Sequence, residues 1–111
     1  MTNVTNEEFL TRLGYNVNEG SLKELELVKQ NTGEFEKIAK HIIDLHEHLK
    51  TMNAFIAISS TKPYLKIKNE EDKVEAIDFV NDYIKKWAEK YKVTLQKVEN
   101  KNTYYIIGFH H

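Results

Sequence analysis

The chain has 111 residues, of which 41% are hydrophobic and 30% are charged, and its formal net charge at pH 7 is −1. This composition is typical of a folded domain and excludes a disordered chain, and the lack of a basic excess argues against a dedicated duplex-binding protein. Because cysteine is absent, disulfides, thiolate metal sites and cysteine nucleophiles are excluded.

The length predicts a single domain over residues 1–111, because a chain of this size builds one hydrophobic core. The amino-terminal sequence MTNVTNEEFLTRLGY lacks a basic segment followed by an apolar run. No window approaches the roughly 18 apolar residues that a membrane span needs. We therefore expect a cytoplasmic protein with no membrane partner.

The first half of the chain, residues 1–52, has the pattern of helices. At Thr5 and again at Ser21, a residue that commonly caps helices precedes a glutamate by three positions. The first pattern predicts a short helix over about 6–13, ended by Gly14. The second predicts a helical region over about 22–51.

A break in this helical region is predicted near 31–33. Asn31 precedes Glu34 by three positions, which is a third capping pattern, and Gly33 lies between them. Apolar residues before the break recur every third position, whereas those over 35–52 have a heptad-like spacing. A straight helix would not point both sets in one direction.

The heptad-like stripe is the predicted association surface, because helices pair through such spacing. A homodimer would cover it, and the alternative is a helical hairpin that packs on the chain's own sheet. The residues predicted to form the interface are Phe35, Ile38, Ile42, Leu45 and Leu49.

The second half, residues 53–111, predicts a ββαββ unit. NAFIAISS and YLKIK are short, apolar and β-branched, and the TKP between them contains a turn-forming proline. A long amphipathic helix follows, with Asn69 as its cap, and a second hairpin consists of VTLQKV and TYYIIGF. The predicted fold class is α+β: amino-terminal helices and a four-stranded antiparallel sheet covered by helices on one face.

The segment HIIDLHEHLK is rich in possible metal ligands, with histidines at 41, 46 and 48. On a helix, Asp44 and His48 share one side, which makes them weak candidates for a metal pair. His41 and His48 lie about 10.5 Å apart along the axis, and His46 points away from both. We expect these histidines to border the apolar stripe, and we predict no metal and no cofactor.

Tyrosines and lysines alternate on the predicted strands in a pattern that suits single-stranded nucleic acid, because bases stack on aromatic rings and phosphates bind cations. The candidate residues are Tyr64, Lys66, Lys68 and Tyr104. Lysines on edge strands also prevent aggregation, which is the simpler explanation.

No motif indicates catalysis. The four glycines form no phosphate-binding loop, and no catalytic residue is predicted. The sequence favours a small non-enzymatic protein-interaction or regulatory module that self-associates through its amino-terminal helices. The alternative is a single-stranded nucleic-acid-binding protein that uses the tyrosine- and lysine-bearing sheet face.

Overall fold

The computed structural model describes residues 4–111 and contains helices followed by a ββαββ unit, as predicted. A short 3-10 helix, Lys50–Met52, joins the helical half to the first strand. The principal elements are α1 (Asn6–Arg12), α2 (Glu19–Asn31), α3 (Phe35–Leu49), β1 (Ala54–Ile58), β2 (Leu65–Asn69), α4 (Val74–Tyr91), β3 (Val93–Lys97) and β4 (Thr103–Phe109).

The helix starts follow local capping chemistry, although only one of the predicted caps is confirmed. The Thr5 hydroxyl accepts a hydrogen bond from the Glu8 N–H at 3.1 Å and begins α1. The predicted cap at Ser21 is wrong, because Asn18 caps α2 and Ser21 is the third helical residue that completes a reciprocal capping box.

Asn69, predicted to cap α4, instead ends β2, and the helix begins five residues later at Val74. The Asn69 amide donates to the Ile77 carbonyl at 3.1 Å and to the Asn81 side-chain oxygen at 3.0 Å. A buried asparagine is held in this way because each of its polar atoms needs a partner. The residue therefore ties the sheet to the first turns of α4.

The predicted helix break is confirmed at residues 32–34, and its cause is a backbone pairing with the sheet. The Gly33 N–H donates to the Ile107 carbonyl at 3.1 Å, and the Phe109 N–H donates to the Gly33 carbonyl at 2.8 Å. Asn31 caps no helix, since its side chain donates back to the Leu27 carbonyl. The third capping pattern therefore indicated the correct place for a different reason.

The four strands form one antiparallel sheet in the order β1-β2-β4-β3, so the second strand of each hairpin lies in the centre. Direct partners across the central pair include Ile67 with Tyr104 and Lys66 with Tyr105. Because side chains on neighbouring residues of a strand point to opposite faces, this register decides which residues meet the helices.

The helices cover one face of the sheet, as predicted. Alternate strand residues are buried on that face, and the residues between them are only half-buried. The main buried contributors from the sheet and helices are Ile56, Leu65, Ile67, Ile106, Ile38, Ile42, Leu45, Leu49, Val80 and Ile84.

The two edges of the sheet are protected differently. At β1, the Ile56 N–H donates to His46 Nδ1 at 3.1 Å and the Ile58 N–H donates to the Tyr15 hydroxyl at 2.8 Å. At β3, a register shift between Thr94 and Leu95 interrupts the ladder. Side chains that occupy the backbone N–H groups of an edge strand hinder the addition of a further strand, and so does irregular pairing.

None of the helices within residues 4–111 has both the length and the apolar character required to cross a bilayer.

Candidate functional site

The predicted interface stripe lies in the core of the chain itself. Phe35, Ile38, Ile42, Leu45 and Leu49 are each no more than 6% exposed. Their side chains belong to the same apolar cluster as the inward-facing residues of the sheet. The prediction that these five residues contact a second chain is therefore corrected, because the protein's own sheet covers them.

The uncovered face of the sheet is the strongest candidate for a binding surface. It carries Phe55 and Ala57 on β1, Lys66 and Lys68 on β2, and Tyr105 on β4. Each is half-buried by its neighbours and none contributes to the apolar core. Aromatic and cationic side chains therefore alternate across adjacent strands of one surface.

Tyr64 and Tyr105 form the aromatic centre of this surface. Their ring centroids are 5.9 Å apart and the ring planes are inclined by 44°. Tyr105 is directly opposite Lys66 in the strand register, and Tyr64 is two residues before that lysine. The arrangement places a positive charge beside two rings that are both accessible from solvent.

A groove of about 400 Å³, here called the sheet groove, lies beside the Tyr105 ring. The β1–β2 loop lines it with the hydroxyl groups of Ser59, Ser60 and Thr61, and the strands line it with Lys66 and Tyr105. The hydroxyl groups of Thr61 and Ser59 lower the pKa of Tyr105, and the charges of Lys62 and Lys66 add to this shift. The phenol hence lies in a positive, hydrogen-bonding environment.

The charged side chains that line the sheet groove are all positive. Lys66, Lys68 and Lys101 line it, and within the described residues no acidic side chain does so. Lys68 is partly neutralised, because its ammonium lies 3.7 Å from the Glu70 carboxylate. A groove with hydroxyl donors and unbalanced ammonium groups suits a phosphate or another anion.

Of the four predicted nucleic-acid contacts, the structure brings three together and excludes the fourth. Tyr64, Lys66 and Lys68 lie on the uncovered face, whereas Tyr104 is 3% exposed and faces the helices. Burial raises the pKa of Tyr104, and its hydroxyl has no hydrogen-bond partner within the described residues. The prediction of Tyr104 is corrected to Tyr105, its neighbour on the opposite face.

Sequence reasoning also missed Phe55 and the Ser59–Thr61 loop. Phe55 is opposite Lys68 in the register, and its alternation with the buried Ile56 would have placed it on the outer face. The loop gives no such signal, because short runs of serine and threonine are common in turns. The loop lines the sheet groove only because the fold brings it next to Tyr105 of β4.

The three histidines of this segment lie in three different environments. His46 is buried, His41 stacks on Tyr91 with ring centroids 3.9 Å apart, and His48 is exposed. His48 Nδ1 lies 3.0 Å from the Asp44 backbone carbonyl. No group of three or more potential metal ligands occurs within residues 4–111, so Asp44 and His48 remain an isolated pair.

Comparison of the chain with protein-family models, with curated proteins and with solved structures finds no match.

Proposed function

We propose that the protein binds single-stranded nucleic acid on the uncovered face of its sheet. The observation that carries this proposal is the pair of neighbouring rings, Tyr64 and Tyr105. Lys66 lies beside them on β2, directly opposite Tyr105. Unstacked bases bind to such rings, and each stacked base contributes about 1–3 kcal/mol to binding.

The phosphates would follow the sheet groove. Lys66 and Lys101 supply positive charge without an ion-pair partner in the described part of the chain, and the Ser59–Thr61 loop supplies hydroxyl donors. The net charge of −1 limits the non-specific attraction of duplex DNA, which depends mainly on charge. We therefore expect weak, single-strand-selective binding.

The proposal is tested by fluorescence anisotropy with a labelled single strand of about ten nucleotides, a length within the span of one such binding surface. We expect saturable binding that weakens between about 50 and 200 mM salt, with a duplex of equal length binding less well. Absence of salt-sensitive binding at the lower concentration would refute the proposal.

A matched pair of substitutions locates the surface. We expect Tyr105→Leu to weaken binding by about 1–3 kcal/mol, the cost of one lost stack. Tyr104→Leu changes the same residue type one position away on the buried face, and it should leave affinity unchanged in protein that circular dichroism shows to be folded. Equal losses in the two variants would contradict the assignment to the uncovered face.

A further inference from the structure

A second cleft, here called the helix groove, lies between α3 and α4 and has a volume of about 310 Å³. It shares no lining residue with the sheet groove. Its floor contains Tyr83, Trp87 and Tyr91, which are spaced four residues apart and therefore form one row along α4. The volume is at the lower end of the range for small-molecule sites.

The floor of the helix groove is aromatic, and the one indole donor on it is already engaged. The Trp87 indole N–H already donates to the His41 carbonyl at 3.2 Å, and the residue is 8% exposed. His41 stacks on Tyr91 with the rings inclined by only 20°, which fixes the position of that ring. A ligand in the groove would thus meet rigid rings, which favour a flat apolar group.

The two rims of the helix groove differ in charge. Lys86 and Lys90 line the α4 side, and Asp44 and His48 line the α3 side. Lys86 is engaged by Asp82 at 3.0 Å. Lys90 has no ion-pair partner within residues 4–111, and its ammonium lies over the Tyr91 ring, 5.3 Å from the ring centroid.

We propose that the helix groove binds a small aromatic acid, with its ring against Trp87 and Tyr91 and its carboxylate on Lys90. Charge complementarity selects this class, because an ammonium that has no carboxylate partner among the described residues and lies over an aromatic floor favours an anion that is attached to a ring. The site is independent of the nucleic-acid proposal, since the two grooves involve different residues.

The single tryptophan makes the test specific, because the chain gives only one indole signal in a ¹H–¹⁵N spectrum. The probe is 2-naphthoate at pH 7.5, and the full chain is titrated. We expect the Trp87 indole signal to shift saturably with a Kd of about 1 mM or tighter, a reasonable affinity for so small a ligand. A stationary indole signal overturns the proposal.

Two comparisons test the role of Lys90. The neutral analogue 2-naphthalenemethanol and the variant Lys90→Gln should each weaken binding by about fivefold or more, because each removes one partner of a charge-assisted contact. Lys85→Gln, at an exposed position on the same helix outside the groove, should leave the Kd unchanged. If the alcohol and the acid bind equally, or if Lys90→Gln binds like the unsubstituted protein, the groove does not select an acid.

Discussion

His46 is the clearest case of a residue whose role depends on its protonation. It is 5% exposed, and its Nδ1 accepts the Ile56 N–H at 3.1 Å, so this nitrogen must carry a lone pair and the neutral ring must hold its proton on Nε2. Burial lowers the pKa of His46, and Lys50 lowers it further, while Glu47 opposes the shift. Glu47 itself also contacts Arg12 at 3.5 Å.

We therefore expect stability to fall as the pH is lowered through 6.5, the ordinary pKa of histidine. Below that pH the unfolded chain binds a proton that folded His46 does not bind, so the free energy of unfolding decreases with a limiting slope of about 1.4 kcal/mol per pH unit. The decrease ends once the pH passes below the lowered pKa of the folded state. Urea denaturation between pH 7.5 and 5 measures it.

The variant His46→Gln is the control for this slope, because its side-chain oxygen is able to accept the Ile56 N–H without titrating. The slope should be shallower in the variant. Some dependence should remain from His41, whose pKa is lowered mainly by burial. Identical slopes in the two proteins would exclude His46 as the titrating group.

Helical periodicity correctly separated His46 from His41 and His48. Its acceptor role was not predictable, because it depends on which strand is at the edge of the sheet, and strand order is a property of the fold. The same limit applies to Tyr104 and Tyr105. Adjacent strand residues always face opposite ways, but only the pairing of Tyr104 with Ile67 shows which of the two tyrosines is buried.

Whether a segment is a helix or a strand was easier to predict than the residues at which it begins and ends. The apolar spacing identified α3 and α4 and the short β-branched runs identified the strands, because buried faces impose these periods. The start of α2 was missed since Asn18 and Ser21 are both good caps, and local sequence does not rank them. Asn69 was misassigned because it is the last residue of β2, while its side chain forms hydrogen bonds with α4.

The junction of α2 and α3 with β4 depends on two glycines in close contact. Gly108 has a φ of 152°, and an added Cβ would approach the Gly33 backbone nitrogen to 2.5 Å. We expect Gly108→Ala to lower the free energy of unfolding by about 1–3 kcal/mol or more through overpacking and backbone strain. Thermal and urea denaturation measure the loss.

The matched control for this prediction is Gly33→Ala. A Cβ at Gly33 would meet Gly108 and the Phe109 carbonyl only at 3.9 Å, which is ordinary contact. We expect a much smaller effect from this variant. A loss as large as that of Gly108→Ala would mean that flexibility at the junction, and not the contact, determines its stability.

For the whole molecule, the main error of sequence reasoning concerned what covers the α3 stripe. An amphipathic face has the same pattern whether a sheet of the same chain or a second chain packs on it, so periodicity alone does not distinguish them. The structure assigns the stripe to the internal core. Self-association stays a hypothesis, and it would need a surface other than these five residues.

Ile42→Ala tests this assignment. Ile42 is fully buried, so its truncation should cost about 2–5 kcal/mol of unfolding free energy by leaving a cavity. The denaturation midpoint of the parent and of the variant should not change with protein concentration, because the contact is within one chain. A midpoint that rises with concentration, together with a dimer in sedimentation, would restore the original interface prediction.

The central position of β4 has a consequence for biosynthesis. This strand pairs with β2 and β3, and its Gly108 forms a backbone bridge with Gly33. It is nevertheless translated after all of these partners. During elongation the β1–β2 hairpin and the helices lack the neighbour that completes their core, so the apolar face of the nascent chain stays accessible until β4 emerges. We infer that the protein folds in a late, concerted step, a regime in which chaperone contact during translation protects exposed apolar surface.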